Sequence, residues 1–226
     1  MNCHGHALWR VMATSLDEVA GLPWLEIIKA LASVAVAFVA WRALQTWRWQ
    51  DKAKRQADFL DQLTEAVHDF IGTMPAPVTV VQLIKIGMES HIPMGQPTNS
   101  DPKVAGAIEY IKRRGDEDAK RLSEVLEVAR PIATRVRALA AKGHVFKFQN
   151  YETCQNAVAM LVWQFDRMQA LAAFIRHPSW YWQNEEVLGQ LRKLMTIDPE
   201  DIQARLQSCH AAIITYVAEI YGGIYG

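Results

Sequence analysis

Apolar positions recur at helical spacing in four separate stretches of the chain, and a fifth stretch is apolar on nearly every side. Leu60, Leu63, Val67 and Phe70 form the first stripe, and Leu122, Val125, Leu126, Ala129, Ile132, Val136 and Leu139 the second. Val158, Leu161, Val162, Phe165, Met168 and Ile175 form the third, and Ile202, Leu206, Cys209, Ile213 and Ile220 the fourth. Spacings of three and four residues place each set on one face of an α-helix. Asp101-Pro102 and Asp198-Pro199 each supply a capping carboxylate followed by proline at the first helical position, which fixes two helix starts. Gly115 and Pro131 are expected to interrupt or kink the long middle helix. Val78 to Met88 is apolar but rich in valine, and its pattern fits helix or strand. Pro93 to Ser100 reads as a surface loop. The fold predicted is all-α, with five to seven helices in an irregular bundle.

The fifth stretch differs in kind. From Ala30 to Trp41 there is no charge, and Leu25, Ile27 and Ile28 extend the run towards the ~20 residues that a bilayer requires. Trp24 stands before it and Trp41, Trp47 and Trp49 after it, as indole rings do at the two membrane interfaces. Basic residues gather on one side only: Arg42, Arg48, Lys52, Lys54 and Arg55 follow the run, against Arg10 and the border residue Lys29 before it. That bias predicts a bacterial inner-membrane span with the N-terminus outside and the C-terminal part in the cytoplasm. No convincing small-residue cleavage site accompanies it, so the segment is expected to stay attached. The organisation read from these patterns is a tail at 1–21, a transmembrane helix at 22–44 and a cytoplasmic helical domain at 45–226, beginning with a stalk at 45–71 that closes near Gly72 and Pro75-Ala76-Pro77. The apolar stretch from Ala211 to Gly226 contains Glu219 and is expected to be a core helix ending near Gly222 rather than a second span.

Within the span, Glu26, Lys29, Ser33, Ala37 and Ala40 fall within roughly 60° of one direction, whereas Ile27, Ile28, Leu31, Val34, Phe38 and Val39 lie opposite. Small residues let membrane helices approach closely, and polar groups at the rim prefer protein to lipid, so this stripe is the expected helix-packing face and a homo-oligomer the expected outcome.

Charge and chemistry narrow the picture further. Lys and Arg total 24, and so do Asp and Glu, which excludes the global positive field of a general nucleic-acid binder. Locally, ten basic residues face five acidic ones between Lys112 and Lys147, with Lys112, Arg113 and Arg114 adjacent. This triplet, together with Trp180, Tyr181 and Trp182, is the candidate surface for a cytoplasmic protein or nucleoprotein partner. Cys3, Cys154 and Cys209 are too few for a disulfide framework. Cys3, His4 and His6 have no second ligand pair, and the first eleven residues read as a dispensable extension before Met12 and the capping pair Ser15 and Glu18. Glu65 and His68 make a lone E-x-x-H where a di-iron bundle needs two. Glu89 and His91 lack a partnered nucleophile. No phosphate-cradling glycine loop, H-E-x-x-H or nucleophile elbow occurs. No catalytic residue, metal, cofactor or small-molecule substrate is therefore expected, and the bilayer itself is the first partner.

The run Leu25-Glu26-Ile27-Ile28-Lys29-Ala30, the alanine and valine span, and Trp41-Arg42-Ala43-Leu44-Gln45-Thr46-Trp47-Arg48 resemble small bacterial single-pass membrane proteins with a helical cytoplasmic domain. Some proteins of that plan are membrane effectors of antiphage systems, including those associated with retrons. The resemblance covers about residues 25–70 and carries over no catalytic residue. It implies a non-enzymatic effector, held inactive by a partner, whose released membrane helices associate and compromise the bilayer. The alternative is a constitutive membrane-anchored scaffold that recruits a protein or nucleoprotein through its helical domain.

Overall fold

The computed structural model describes residues 23–91 and 101–225. The tail with Cys3, His4, His6, Ser15 and Glu18, and the loop expected from Pro93 to Ser100, lie outside the described residues. Among the described residues there are six helices and no strand: α1 (Pro23–Thr73), α2 (Pro75–Ser90), α3 (Pro102–Phe146), α4 (Tyr151–Ile175), α5 (Glu185–Met195) and α6 (Pro199–Tyr225). The ambiguous valine-rich stretch is helical, as α2. The chain divides into two compact units, one up to Arg55 and one from Gln56 onward, so the division falls inside the stretch expected to be a stalk.

Local chemistry sets the helix ends. Proline opens α2, α3 and α6, where its missing N–H has no helical partner to lose. The Asp101 carboxylate accepts from the Lys103 N–H at 3.0 Å, and Asn184 accepts from the Glu186 N–H at 2.7 Å at the start of α5. The Asp198 carbonyl accepts from the Ile202 N–H at 3.0 Å, while its carboxylate takes Lys85 Nζ at 3.0 Å and so ties α2 to the start of α6. Between α3 and α4 the chain reverses through Lys147 and Asn150, both left-handed at φ 51° and 54°.

In the second unit, α4 packs along α3 and α6, and α2 packs on α3. Phe59, Leu60, Leu63, Val67 and Phe70 of α1 are at most 1% exposed. Phe59 meets Phe146 and Phe148 with ring centroids 4.9 and 5.6 Å away, and Phe70 meets Phe165 edge-on at 6.3 Å. Fully buried side chains of this size each contribute about 1.5–3 kcal/mol, so this part of α1 is a principal source of bundle stability. Ile213, Tyr216 and Val217 bury the middle of α6, which is a core helix and continues past Gly222 to Tyr225.

The helix α3 runs through both Gly115 and Pro131. Gly115 marks a close approach instead: a Cβ there would lie 2.3 Å from the Ile175 carbonyl oxygen at the end of α4. Gly189 in α5 has nothing within 4 Å of the same position. The two sites should therefore answer one substitution with opposite signs. Gly115→Ala is expected to lose about 1–3 kcal/mol by overpacking, which outweighs its helix-propensity gain. Gly189→Ala is expected to gain about 0.5–1 kcal/mol. Urea unfolding of the two variants checks this, and a stabilised Gly115→Ala would remove the close approach from the account.

Candidate functional site

In the first unit, α1 is exposed along its whole apolar length. Among the described residues one helix is long and apolar enough to cross a membrane, and none of the residues in its 18-residue apolar window is buried. Water is a poor environment for such a surface: contiguous exposed apolar area of this extent marks a partner or a membrane. Both azimuths share the exposure. Glu26, Lys29, Ser33, Ala37 and Ala40 are exposed on one side, and Ile27, Leu31, Val34 and Val39 on the other. Ser33 Oγ donates to the Lys29 carbonyl at 2.9 Å, so its hydroxyl is satisfied within the helix and leaves a smooth, small surface outward.

The border that follows is aromatic and basic. Trp24, Trp41, Trp47 and Trp49 are all about half to two-thirds exposed, and Phe38 packs against Trp41 at 6.1 Å. Thr46 Oγ1 donates to the Arg42 carbonyl at 3.0 Å, again within the helix. Arg55 pairs with Asp51 at 2.9 Å, whereas Arg42, Arg48, Lys52 and Lys54 have no ion pair among the described residues. Comparison of the chain with protein-family models, with curated proteins and with solved structures returns no match.

Much of the expected partner surface on the second unit is engaged in contacts within the protein. Arg113 pairs with Glu109 at 3.0 Å and Arg114 with Glu117 at 3.5 Å, leaving Lys112 as the triplet's unpaired cation among the described residues. Farther along the basic stretch, Lys120 pairs with Asp116, Arg130 with Glu127, Arg135 with Glu65 and Arg137 with Asp166. Most of the local positive excess is matched by neighbouring carboxylates. The aromatic triplet divides as well. Trp180 stacks on Phe174 at 5.3 Å and donates Nε1 to the Phe174 carbonyl at 2.9 Å; Trp182 meets the same ring edge-on and donates to the Pro178 carbonyl. Tyr181 is the most exposed of the three, its hydroxyl donating to Gln183.

Several titratable groups elsewhere are engaged in contacts within the second unit. Glu65 binds Arg135 at 2.7 Å, and His68 faces His210 across α1 and α6 with rings 6.1 Å apart. His91 Nδ1 lies 3.0 Å from the Gly87 carbonyl oxygen, and its ring meets Tyr110 edge-on. Burial, then the hydrogen bond to Asp118, pushes the Tyr110 phenol far above its ordinary range. Burial pushes the Cys154 thiol up to about 12, which favours the protonated thiol. Among the described residues no group of three or more His, Cys, Asp or Glu is arranged to hold a metal ion. A groove of about 570 Å³ between α3 and α4 is lined by Arg137, His144, Trp163 and Asp166, and its one carboxylate, Asp166, is paired with Arg137. Periodicity did not reveal that Leu83 and Ile86 on α2 are exposed, nor that Arg167 sits 4.6 Å over the Trp163 ring.

Proposed function

We propose that this chain is a non-enzymatic effector of the bacterial inner membrane, with its N-terminus outside and its helical domain in the cytoplasm, acting in phage defence. The observation that carries the reading is the apolar window of α1, none of whose residues is buried among the described residues. A helix of that composition is stable in hydrocarbon because its backbone bonds are all internal, and the Trp and Arg border fits the headgroup layer. A cytoplasmic protein or nucleoprotein holds the domain until release. The span then associates through the face of Ser33, Ala37 and Ala40 and compromises the bilayer. Support for that step comes from the smooth stripe left by the Ser33 to Lys29 hydrogen bond and from the resemblance over residues 25–70. A constitutive scaffold is the second reading, favoured by the exposed Leu83 and Ile86 on α2.

Fractionation and growth test the proposal together. The chain should resist carbonate and high-salt extraction, with a reporter at residue 226 active in the cytoplasm. Leucine at both Ser33 and Ala37 fills the groove while keeping the segment apolar; leucine at Val34 and Val39 alters the other face. Induction without neighbouring genes should arrest growth and admit dye, and only the Ser33→Leu/Ala37→Leu variant should lose this at unchanged abundance. Equal behaviour of the two variants removes the association step, and a chain that anchors without toxicity leaves the scaffold.

A further inference from the structure

We infer that Arg42 and Arg48, with Trp41 and Trp49, form a collar that binds the headgroups of anionic phospholipids, a specificity that rests on the membrane reading above and goes beyond simple anchoring. A cation already neutralised within the protein has little to offer a lipid, and Arg55 is in that position because it sits 2.9 Å from Asp51. Arg42 and Arg48 are exposed, and among the described residues neither has an ion pair or a ring beneath it. Their guanidinium groups keep every donor available, in the planar fork that matches two oxygens of a phosphate.

Position supplies the second argument. At about 3.6 residues per turn, Trp41 and Arg48, seven apart, point within roughly 20° of each other, and so do Arg42 and Trp49. Two sides of the helix therefore each carry one indole and one guanidinium, in opposite order along the axis. Arg42 follows directly on the uncharged run that ends at Trp41. Arg48 lies about 9 Å farther along, so the two bracket a headgroup layer roughly 5–8 Å deep. Exposed indoles at this level bury their rings at the acyl boundary and hold the helix at a fixed depth. Lys52 and Lys54 are also unpaired, but they stand about 15 and 18 Å beyond Arg42 along the axis, outside a headgroup layer roughly 5–8 Å deep. The collar is thus confined to the first two turns after the span.

The experiment uses the full chain reconstituted into vesicles of equal phosphatidylglycerol and phosphatidylcholine, then extracted in detergent, with native mass spectrometry counting the lipid retained. Phosphatidylglycerol should be retained in excess. Arg42→Gln/Arg48→Gln should lower that ratio by about fivefold per cation removed, the worth of one basic residue at an anionic surface. Lys52→Gln/Lys54→Gln should lower it far less, and Arg55→Gln should leave it unchanged. An equal effect of the arginine and lysine pairs would overturn the collar, as would displacement of the retained lipid by inorganic phosphate. Flotation with phosphatidylcholine vesicles alone separates the two levels of failure. A chain that floats but shows no lipid preference refutes this inference and leaves the anchor standing; a chain that floats with no vesicle refutes both.

Discussion

Val34→Asp is expected to move the chain out of the membrane fraction, while the same substitution at Val128 changes nothing. The two valines are almost equally exposed, 66% on α1 and 65% on α3. If water covered both, an aspartate at either would cost within about 0.5 kcal/mol, as surface changes generally do. If hydrocarbon surrounds Val34, a central aspartate costs about 3 kcal/mol, roughly a 150-fold shift in the insertion equilibrium. Aspartate is chosen because its carboxylate is too short to reach an interface, unlike the long stem of Lys29. Carbonate extraction of both variants reads the result. If Val34→Asp and Val128→Asp fractionate alike, the apolar window of α1 is not in lipid.

The second large effect lies in the bundle. Phe165→Ala should remove about 3–5 kcal/mol, because a buried aromatic takes both its transfer energy and its packing with it. Phe165 is 1% exposed and meets Phe70 edge-on, so the void would open between α4 and α1. Domains of this size are stable by about 5–15 kcal/mol, and a loss on this scale should drop the urea midpoint sharply or leave the bundle unfolded. Because residues 56–226 form a compact unit of their own, Phe165→Ala should leave membrane fractionation intact. An unchanged midpoint would mean that the α1 to α4 contact contributes little.

What could be read from the sequence was what depends on neighbours within a turn or two. The Asp101-Pro102 start is such a case: the side chain, the N–H it accepts from and the proline are consecutive, and all three take their expected places. The stripe Leu60, Leu63, Val67 and Phe70 was legible as a face, but not what it would face; all four are buried, Phe70 meets Phe165, and the adjoining Phe59 meets Phe146 and Phe148. Val78 to Met88 was ambiguous because β-branched residues weaken the helical signal, and burial of Val78, Val80, Val81 and Ile84 against the core decides for helix. Gly115 read as an interruption since only its local flexibility is visible in one dimension, whereas its use is a contact with Ile175, 60 positions away. For the candidate surfaces the division is the same. Pairs such as Lys120 with Asp116 are legible at four residues apart, but Arg135 with Glu65 and Arg137 with Asp166 join separate helices and quietly consume charge that looked available. Trp180 and Trp182 had the composition of a binding anchor, and only the fold reveals that both lean on Phe174. The apolar window of α1 was the most legible feature of all, because being apolar on every side needs no tertiary partner to interpret.

The contact between Tyr221 and the beginning of the bundle sets a timetable for synthesis. The Tyr221 hydroxyl bonds to the Ala57 carbonyl at 3.1 Å and to the Asp61 carboxylate, joining α6 to α1 across 160 residues or more of sequence. At about 5–20 residues per second, a ribosome takes roughly 8–30 s to travel that far. Throughout that interval Phe59, Leu60, Leu63 and Phe70 have been made while α6, which helps to enclose them, has not. The apolar run from Ala30 to Trp41 leaves the ribosome before the bundle, and on the membrane reading proposed above it meets the insertion machinery while its own domain is still unfinished. On that reading targeting precedes folding for this chain, and nascent chains stalled before α6 should be the species that chaperones hold.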